Sequence, residues 1–402
     1  MKLNKLDSIL NMVMIVGFVV YALGATNSLG VMNTGLGIAF LAWIIKKIKN
    51  FNFKVKSTPY DKYIIFFLLA VLFSFIDSWN LARSIDRFQR YIIPIILFYM
   101  LVDLEPDLKM IKRLLGSLFI GMLGSICYGL WQYHLGIRRI SSTLFVMEFA
   151  DLLSFTAIYT IIYGIWGKIK TRSKLFWLLI SIILVISLIF TRTRGVWVAF
   201  IISLGIILIL KERRYFIYFL IGMILFFAIA PYFIPKTYVN RFVSIFNLQT
   251  NKSNVTRINL WKGALAIYRN HFINGIGLDN FETAIRMDRY LYKPVLSKAS
   301  AHNNFLQLAA ETGSFGVISF VLLFGVILKQ LYTYYRLEKN NNFKLLFLST
   351  IGLVVSYLVH GLTEYNLNDR FVGRVVWFML AISLLLGKRT DKERIDCEYA
   401  DN

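Results

Sequence analysis

Apolar runs of roughly 15–24 residues alternate along the chain with short polar links, and a helix needs about that length to cross hydrocarbon. About twelve such runs lie near 8–25, 29–45, 63–79, 91–103, 114–134, 144–167, 175–190, 196–210, 215–234, 314–334, 345–361 and 372–387. The fourth is the shortest. Only helices can satisfy their own backbone through so many separate crossings, so the pattern predicts an all-α polytopic membrane protein. Between the ninth and tenth runs, from about 236 to 313, the hydropathy falls over a segment too long for an ordinary connection. It carries helix signals, so an ordered, partly helical loop is expected. The division that follows is 1–235 for the first nine spans, 236–313 for the loop, 314–388 for the last three spans and 389–402 for a tail.

Composition agrees with this pattern. The chain of 402 residues is 57% hydrophobic and 17% charged, with mean hydropathy +0.61, whereas soluble domains have about 45–50% apolar and about 25% charged residues. A disordered chain is excluded. The net charge of +23 would suggest nucleic acid in a soluble protein, but most lysines sit between apolar runs, and no nucleic-acid partner is expected. Lys2 and Lys5 precede the first run; Lys46, Lys47 and Lys49 follow the second, Lys109 and Lys112 the fourth, Lys168 and Lys170 the sixth. Lys211 follows the eighth, Lys339 and Lys344 the tenth, and Lys388 the last. With twelve spans these all fall on one side, the positive-inside pattern, with both termini cytoplasmic. Cys127 in an apolar run and Cys397 in the tail are too few for a disulfide scaffold or a cysteine metal site. The basic start has no small-residue cleavage site after it and reads as an uncleaved first helix.

The opposite links carry positive charge against that rule, and in the short ones it is always arginine: Arg83, Arg87 and Arg90; Arg138 and Arg139; Arg192 and Arg194; Arg370 and Arg374. Lysine would serve topology equally well. A planar, permanently charged fork suits phosphate, so a polyanionic ligand on the outer face is expected beyond simple snorkelling to head groups.

Three segments could carry chemistry. Thr191-Arg192-Thr193-Arg194-Gly195 opens the eighth span, with glycine allowing close approach to a ligand. Asn254-Val255-Thr256-Arg257 begins an amphipathic stretch with Leu260, Ala264 and Ile267 on one face. Arg257 in its first turn would oppose the helix dipole, which points to an external anion. Ser300-Ala301-His302-Asn303-Asn304 runs on to Glu311-Thr312-Gly313. Ser300 as N-cap and Gly313 as stop place His302 in the first turn of a short helix, where the dipole favours neutral imidazole, a competent base. Asn274-Gly275-Ile276-Gly277 allows a tight turn.

His302-Asn303, nine residues, Gly313, two residues and Gly316 resembles the motif of bacterial O-antigen ligases, late in a large loop before the final spans. The Thr-Arg-Gly at Arg194 and the loop arginine Arg257 are similar to two arginines of that family. The resemblance covers Thr191 to about Gly316; the first 180 residues match in span pattern alone. It implies a multi-pass enzyme of the bacterial inner membrane with its active site facing the periplasm. The enzyme would move a glycan from undecaprenyl diphosphate to a hydroxyl of the lipid A core, inverting, with no metal and no cofactor. By position, His302 would be catalytic. Arg194 and Arg257, with Arg192 beside them, would bind the donor diphosphate. Asn303 and Glu311 would be supporting. No Asp-x-Asp pair stands in an outer loop, which favours arginines over metal as countercharge.

A polysaccharide polymerase would use the same chemistry on another acceptor. A lipid-linked oligosaccharide transporter is the rival from another class, because Glu148 and Asp151 lie in or beside the sixth span. Related halves, the usual mark of transporters, are not visible.

Overall fold

A computed structural model describes residues 5–233, 235–247, 249–287 and 300–400. Residues 288–299 of the expected loop lie outside the described residues. Among the described residues there are fifteen α-helices and no strand. Nine helices among the described residues are long and apolar enough to cross a membrane. All twelve apolar runs fall in helices, although the third ends at Phe73 and not near 79. The three outside those nine are α3 (Asp61–Phe73), which is short, α4 (Leu81–Leu104), whose first turns are charged, and α9 (Arg213–Phe233).

The chain starts as a hairpin of α1 (Lys5–Gly24) and α2 (Leu29–Lys49). Glycines bring their backbones together: a Cβ on Gly35 would stand 2.2 Å from the Tyr21 nitrogen. Small residues of this kind take the place of a hydrophobic drive in lipid. α5 (Leu108–His134) packs on α1, and α6 (Val146–Trp166) pairs with α7 (Thr171–Phe190). α8 (Arg194–Lys211) lies along α14 (Asn341–His360), and α4 along α15 (Arg370–Ala400). α14 and α15 form the centre: 78% and 89% of their most apolar windows are buried, against 22% for α2 and α7. The outer helices turn their unburied apolar faces outward, as lipid-facing surface requires.

The two ends of the bundle differ in chemistry. At one end lysine dominates the links: Lys47 pairs with Asp103 at 2.6 Å, Lys49 with Asp7 at 3.1 Å, and Lys388 donates to Ser57 O at 2.9 Å. At the other end sit the arginine-bearing links and the long segment after α9. That segment folds as α10 (Lys236–Val243), α11 (Lys252–Asn270) and α12 (Phe281–Ile285), which lead to α13 (Asn304–Leu337). Leu260, Ala264 and Ile267 pack with Ile276, Phe281, Ala284, Ile285 and Ala310 into a small core of their own.

Four local expectations change. α4 begins at Leu81, capped by Asn80, instead of near residue 91, so Arg83, Arg87 and Arg90 are helical and not in a link. Their side chains reach partners in the long segment and the α14–α15 link, Asp279, Asn368 and Thr283, which makes a polar helix start worthwhile. α11 begins at Lys252 under an Asn251 cap, so Arg257 stands in its second turn, clear of the dipole's strongest field. Helix α13 is capped by Asn303, whose side chain accepts from Phe305 N and Leu306 N. Ser300 is not the cap, and His302 precedes the helix with φ 45°, in the left-handed region. Finally, α13 does not stop at Gly313. It kinks there, at φ 63° and ψ −162°, and continues into the span. Only glycine tolerates that conformation, and a Cβ there would lie 2.2 Å from Ile273 O.

Candidate active site

The site is assembled by two short stretches zipped together: residues 301–304 ahead of α13, and the link between α14 and α15. Asn304 N donates to Gly361 O at 2.7 Å, and Asn304 Nδ2 to Asn366 Oδ1 at 2.7 Å. Leu367 N donates back to Asn304 Oδ1 at 3.1 Å, and Asn303 Nδ2 to Leu362 O at 2.9 Å. These bonds hold Glu364 beside His302: Nδ1 to Glu364 Oε1 is 2.8 Å. An ionised carboxylate only accepts, so Nδ1 donates to it, and in the neutral ring that leaves Nε2 as the acceptor. The His302 side chain is 34% exposed, open enough for a substrate to reach.

Glu364 is buried and also faces Arg257, whose Nη2 lies 3.6 Å from Oε2. Burial pushes its carboxyl up. The hydrogen bond from His302 and the charges of His302, His360 and Arg257 outweigh burial and hold it below the ordinary carboxylate range. The anion therefore persists at neutral pH and orients the imidazole. The orientation of His302 thus comes from a carboxylate and not from a helix dipole.

Arginines gather next to this pair. Arg194 feels the charges of Arg241 and Arg257, and Arg241 in turn those of Arg192 and Arg257. Arg139 joins through Arg241. Burial, then the neighbouring Arg192 and Arg257, depress the Arg241 pKa; burial, then Arg241, depress that of Arg139. Arginines so grouped repel one another, a cost that a bound anion would remove. Their present contacts differ. Arg194 Nη1 donates to Ser244 O at 2.7 Å and to Ser244 Oγ at 2.8 Å, while Nη2 donates to Asn254 Oδ1 at 3.1 Å. It fastens the long segment to the start of α8. Arg192 has φ 53°, lies over the Tyr238 ring at 4.8 Å, and keeps a buried Nε with no hydrogen-bond partner.

The remaining expectations fall as follows. Gly195 approaches protein and not open space: a Cβ there would meet Thr363 Oγ1 at 2.6 Å and His360 Cδ2 at 2.9 Å. Asn303 holds the backbone around His302 through its cap and its bond to Leu362. Glu311 is buried, accepts from Phe281 N at 3.2 Å, and its carbonyl accepts from Gly277 N at 2.9 Å. It fastens the turn at Gly275 and Gly277, whose φ values are 71° and 85° as a tight turn requires. Asp151 holds His360 Nδ1 at 2.9 Å, and Glu148 accepts from Phe145 N at the start of α6. Glu364 and Arg241 were missed by sequence reasoning. Glu364 stands in no motif; its one signal was an acid in a link otherwise marked by arginine.

These features define a multi-pass helical membrane protein with a histidine–carboxylate pair and an arginine cluster at one end of its bundle. Residues 179–321 match the family model described as O-antigen ligase, which contains Arg194, Arg257 and His302. That segment, little more than a third of the chain, is similar to the O-antigen ligase family, which supports a ligase- or polymerase-type membrane glycosyltransferase. It is 22% identical to an uncharacterised protein of Haemophilus influenzae over 359 residues, 83% of this chain and 88% of that one. It is 25% identical to the teichuronic acid biosynthesis protein TuaE of Bacillus subtilis over 130 residues, 32% of this chain and 26% of that one.

Proposed function

We propose that the protein is an O-antigen ligase: it transfers a polysaccharide from undecaprenyl diphosphate to a hydroxyl of the lipid A core at the periplasmic face of the inner membrane. The observation that carries this reading is the chain Arg257–Glu364–His302, set beside further arginines inside the matched family segment. The acceptor oxygen attacks the anomeric carbon as the bond from that carbon to the diphosphate breaks. The electron pair leaves with the diphosphate, and the acceptor proton passes to His302 Nε2. Arg257, with Arg241 and Arg192, meets the negative charge of the leaving group, and Arg194 keeps those residues in place. The good leaving group leaves little more to supply than countercharge and a base.

The test is donor affinity and transfer rate on the same purified variants in detergent. His302→Ala should lose at least 10²-fold in rate, the usual lower bound for a general base, and keep donor binding. If donor affinity falls instead and His302→Arg restores it, His302 is a phosphate ligand and the base role fails. Arg257→Lys keeps charge and loses the fork, and should weaken donor binding severely.

The relative is named for teichuronic acid and not for O-antigen, which supports a second reading, a polysaccharide polymerase with the same chemistry on another acceptor. Mass spectrometry of the lipid A core from a deletion strain separates the two. Unmodified core with polymer stranded on its carrier means ligase, and a core bearing one repeat unit means polymerase.

A further inference from the structure

A second cationic feature stands apart from the arginines assigned to the donor. A groove of about 390 Å³ runs between α2, α4 and α15, within the size range of small-ligand sites. Its mouth carries Arg90, Arg370 and Arg374, and its walls are Leu36, Phe40, Ile93, Ile96 and Met100. Asn33, Leu36, Gly37 and Phe40 share one face of α2 at helical spacing, so the groove descends roughly 10 Å from its arginine rim, at 1.5 Å per residue. Below, Trp43 Nε1 bonds Asp103 at 2.9 Å and ties α2 to α4. The shape is that of an amphiphile: cationic at the rim, apolar beneath.

The rim charges have no direct ion-pair partner: among the described residues no carboxylate lies within ion-pair distance of the three arginines. Arg90 donates to Asn368 O at 3.0 Å and Arg374 to Asn33 Oδ1 at 2.6 Å, both neutral oxygens. The Arg370 side chain makes no hydrogen bond to any described residue. The nearest acids, Glu148 and Asp369, act on these arginines only without direct contact. Glu148 caps α6, and Asp369 is held well above the usual carboxylate range by burial and by the charges of Glu148, Glu364 and Asp151. The groove also touches the catalytic link: Arg90 and Arg87 hold Asn368, a few residues from Glu364.

We propose that this groove seats the acceptor as an acylated lipid bearing phosphate, with its phosphate on Arg90, Arg370 and Arg374 and an acyl chain along α2 and α4. The inference rests on the transferase reading above and deepens it, since two lipid substrates then meet at Glu364 and His302 from separate arginine sites. Gly37 offers a plug: it lines the groove and a Cβ there meets nothing within 4 Å, so Gly37→Leu starts its side chain in open space.

The experiment measures binding of bis-phosphorylated lipid A carrying its core sugars, its dephosphorylated form, phosphatidylglycerol and undecaprenyl diphosphate by native mass spectrometry, with transfer to the core-bearing lipid A assayed in parallel from a glycan-loaded undecaprenyl diphosphate donor. Arg370→Gln and Gly37→Leu should each weaken lipid A binding by about tenfold, in line with loss of one charged hydrogen bond or of the chain's seat. Undecaprenyl diphosphate binding should be unchanged, and the dephosphorylated form should be indifferent to Arg370→Gln. Phosphatidylglycerol binding as well as lipid A, with the same dependence on both residues, would make this a bulk-lipid site and overturn the proposal. So would a fall in undecaprenyl diphosphate affinity in either variant, which would give the groove to the donor. If lipid A binds through the groove and wild type transfers nothing to it, the transferase reading fails. If transfer proceeds and neither variant changes lipid A binding, the groove inference fails alone.

Discussion

His302 serves as a base only if one ring nitrogen is bare and aimed, and Glu364 secures both conditions from 2.8 Å. Replacing the carboxylate by an amide keeps an acceptor oxygen but removes the charge that steadies imidazolium. Glu364→Gln should therefore lower kcat by about 10–100-fold, the range seen when a partner that orients an imidazole is lost, with KM for the donor nearly unchanged. A comparable rise in KM would instead make Glu364 part of donor binding through Arg257. The same residue predicts a pH effect. Its folded pKa is depressed, so its stabilising contribution is complete above the unfolded value of about 4.3 and is lost as pH falls through the lower folded value. Thermal unfolding in detergent should show wild type exceeding Glu364→Gln at pH 7, with the gap closing as pH drops below that window. A gap that stays constant to acid pH would mean Glu364 is not ionised in the folded protein.

At the scale of elements, the site depends on a helix that bends without ending. Gly313 turns the stub that follows His302 into the span below, and the turn at Gly275 and Gly277 nests against Glu311 just before that bend. Gly313→Ala places a Cβ 2.2 Å from Ile273 O at a φ only glycine tolerates. Its expected outcome is a lower Tm and loss of transfer together, even though the residue touches no substrate. Full activity in Gly313→Ala would show that the bend is not needed to hold His302 against Glu364.

For the whole molecule, the lysine end and the arginine end imply opposite sides of a membrane. With Cys127→Ser and Cys397→Ser as background, a cysteine at Met287 should be labelled by an impermeant reagent added outside, and one at Lys339 should not. The reverse result would overturn the orientation and, with it, the periplasmic reaction. The same division explains the choice of cation. The lysine links form dispersed pairs such as Lys49–Asp7, while the arginine end gathers like charges around two separate sites.

Sequence by itself determined the all-α class, the helices in which the apolar runs lie, helical structure in the described part of the long loop and the motif residues Arg194, Arg257 and His302. Each of these depends on local properties: the length of an apolar run, the side on which lysine falls, and a spaced motif within one segment. Tertiary structure alone decided what those residues do. Arg194 fastens a loop, Gly195 admits a neighbouring helix, and His302 takes its orientation from Glu364, which lies 62 positions away along the chain. No local pattern encodes such pairings, because they arise only when α13, α14 and α15 pack and bring their ends together. The groove of Arg90, Arg370 and Arg374 has the same origin: its walls come from three helices that meet only in the folded bundle.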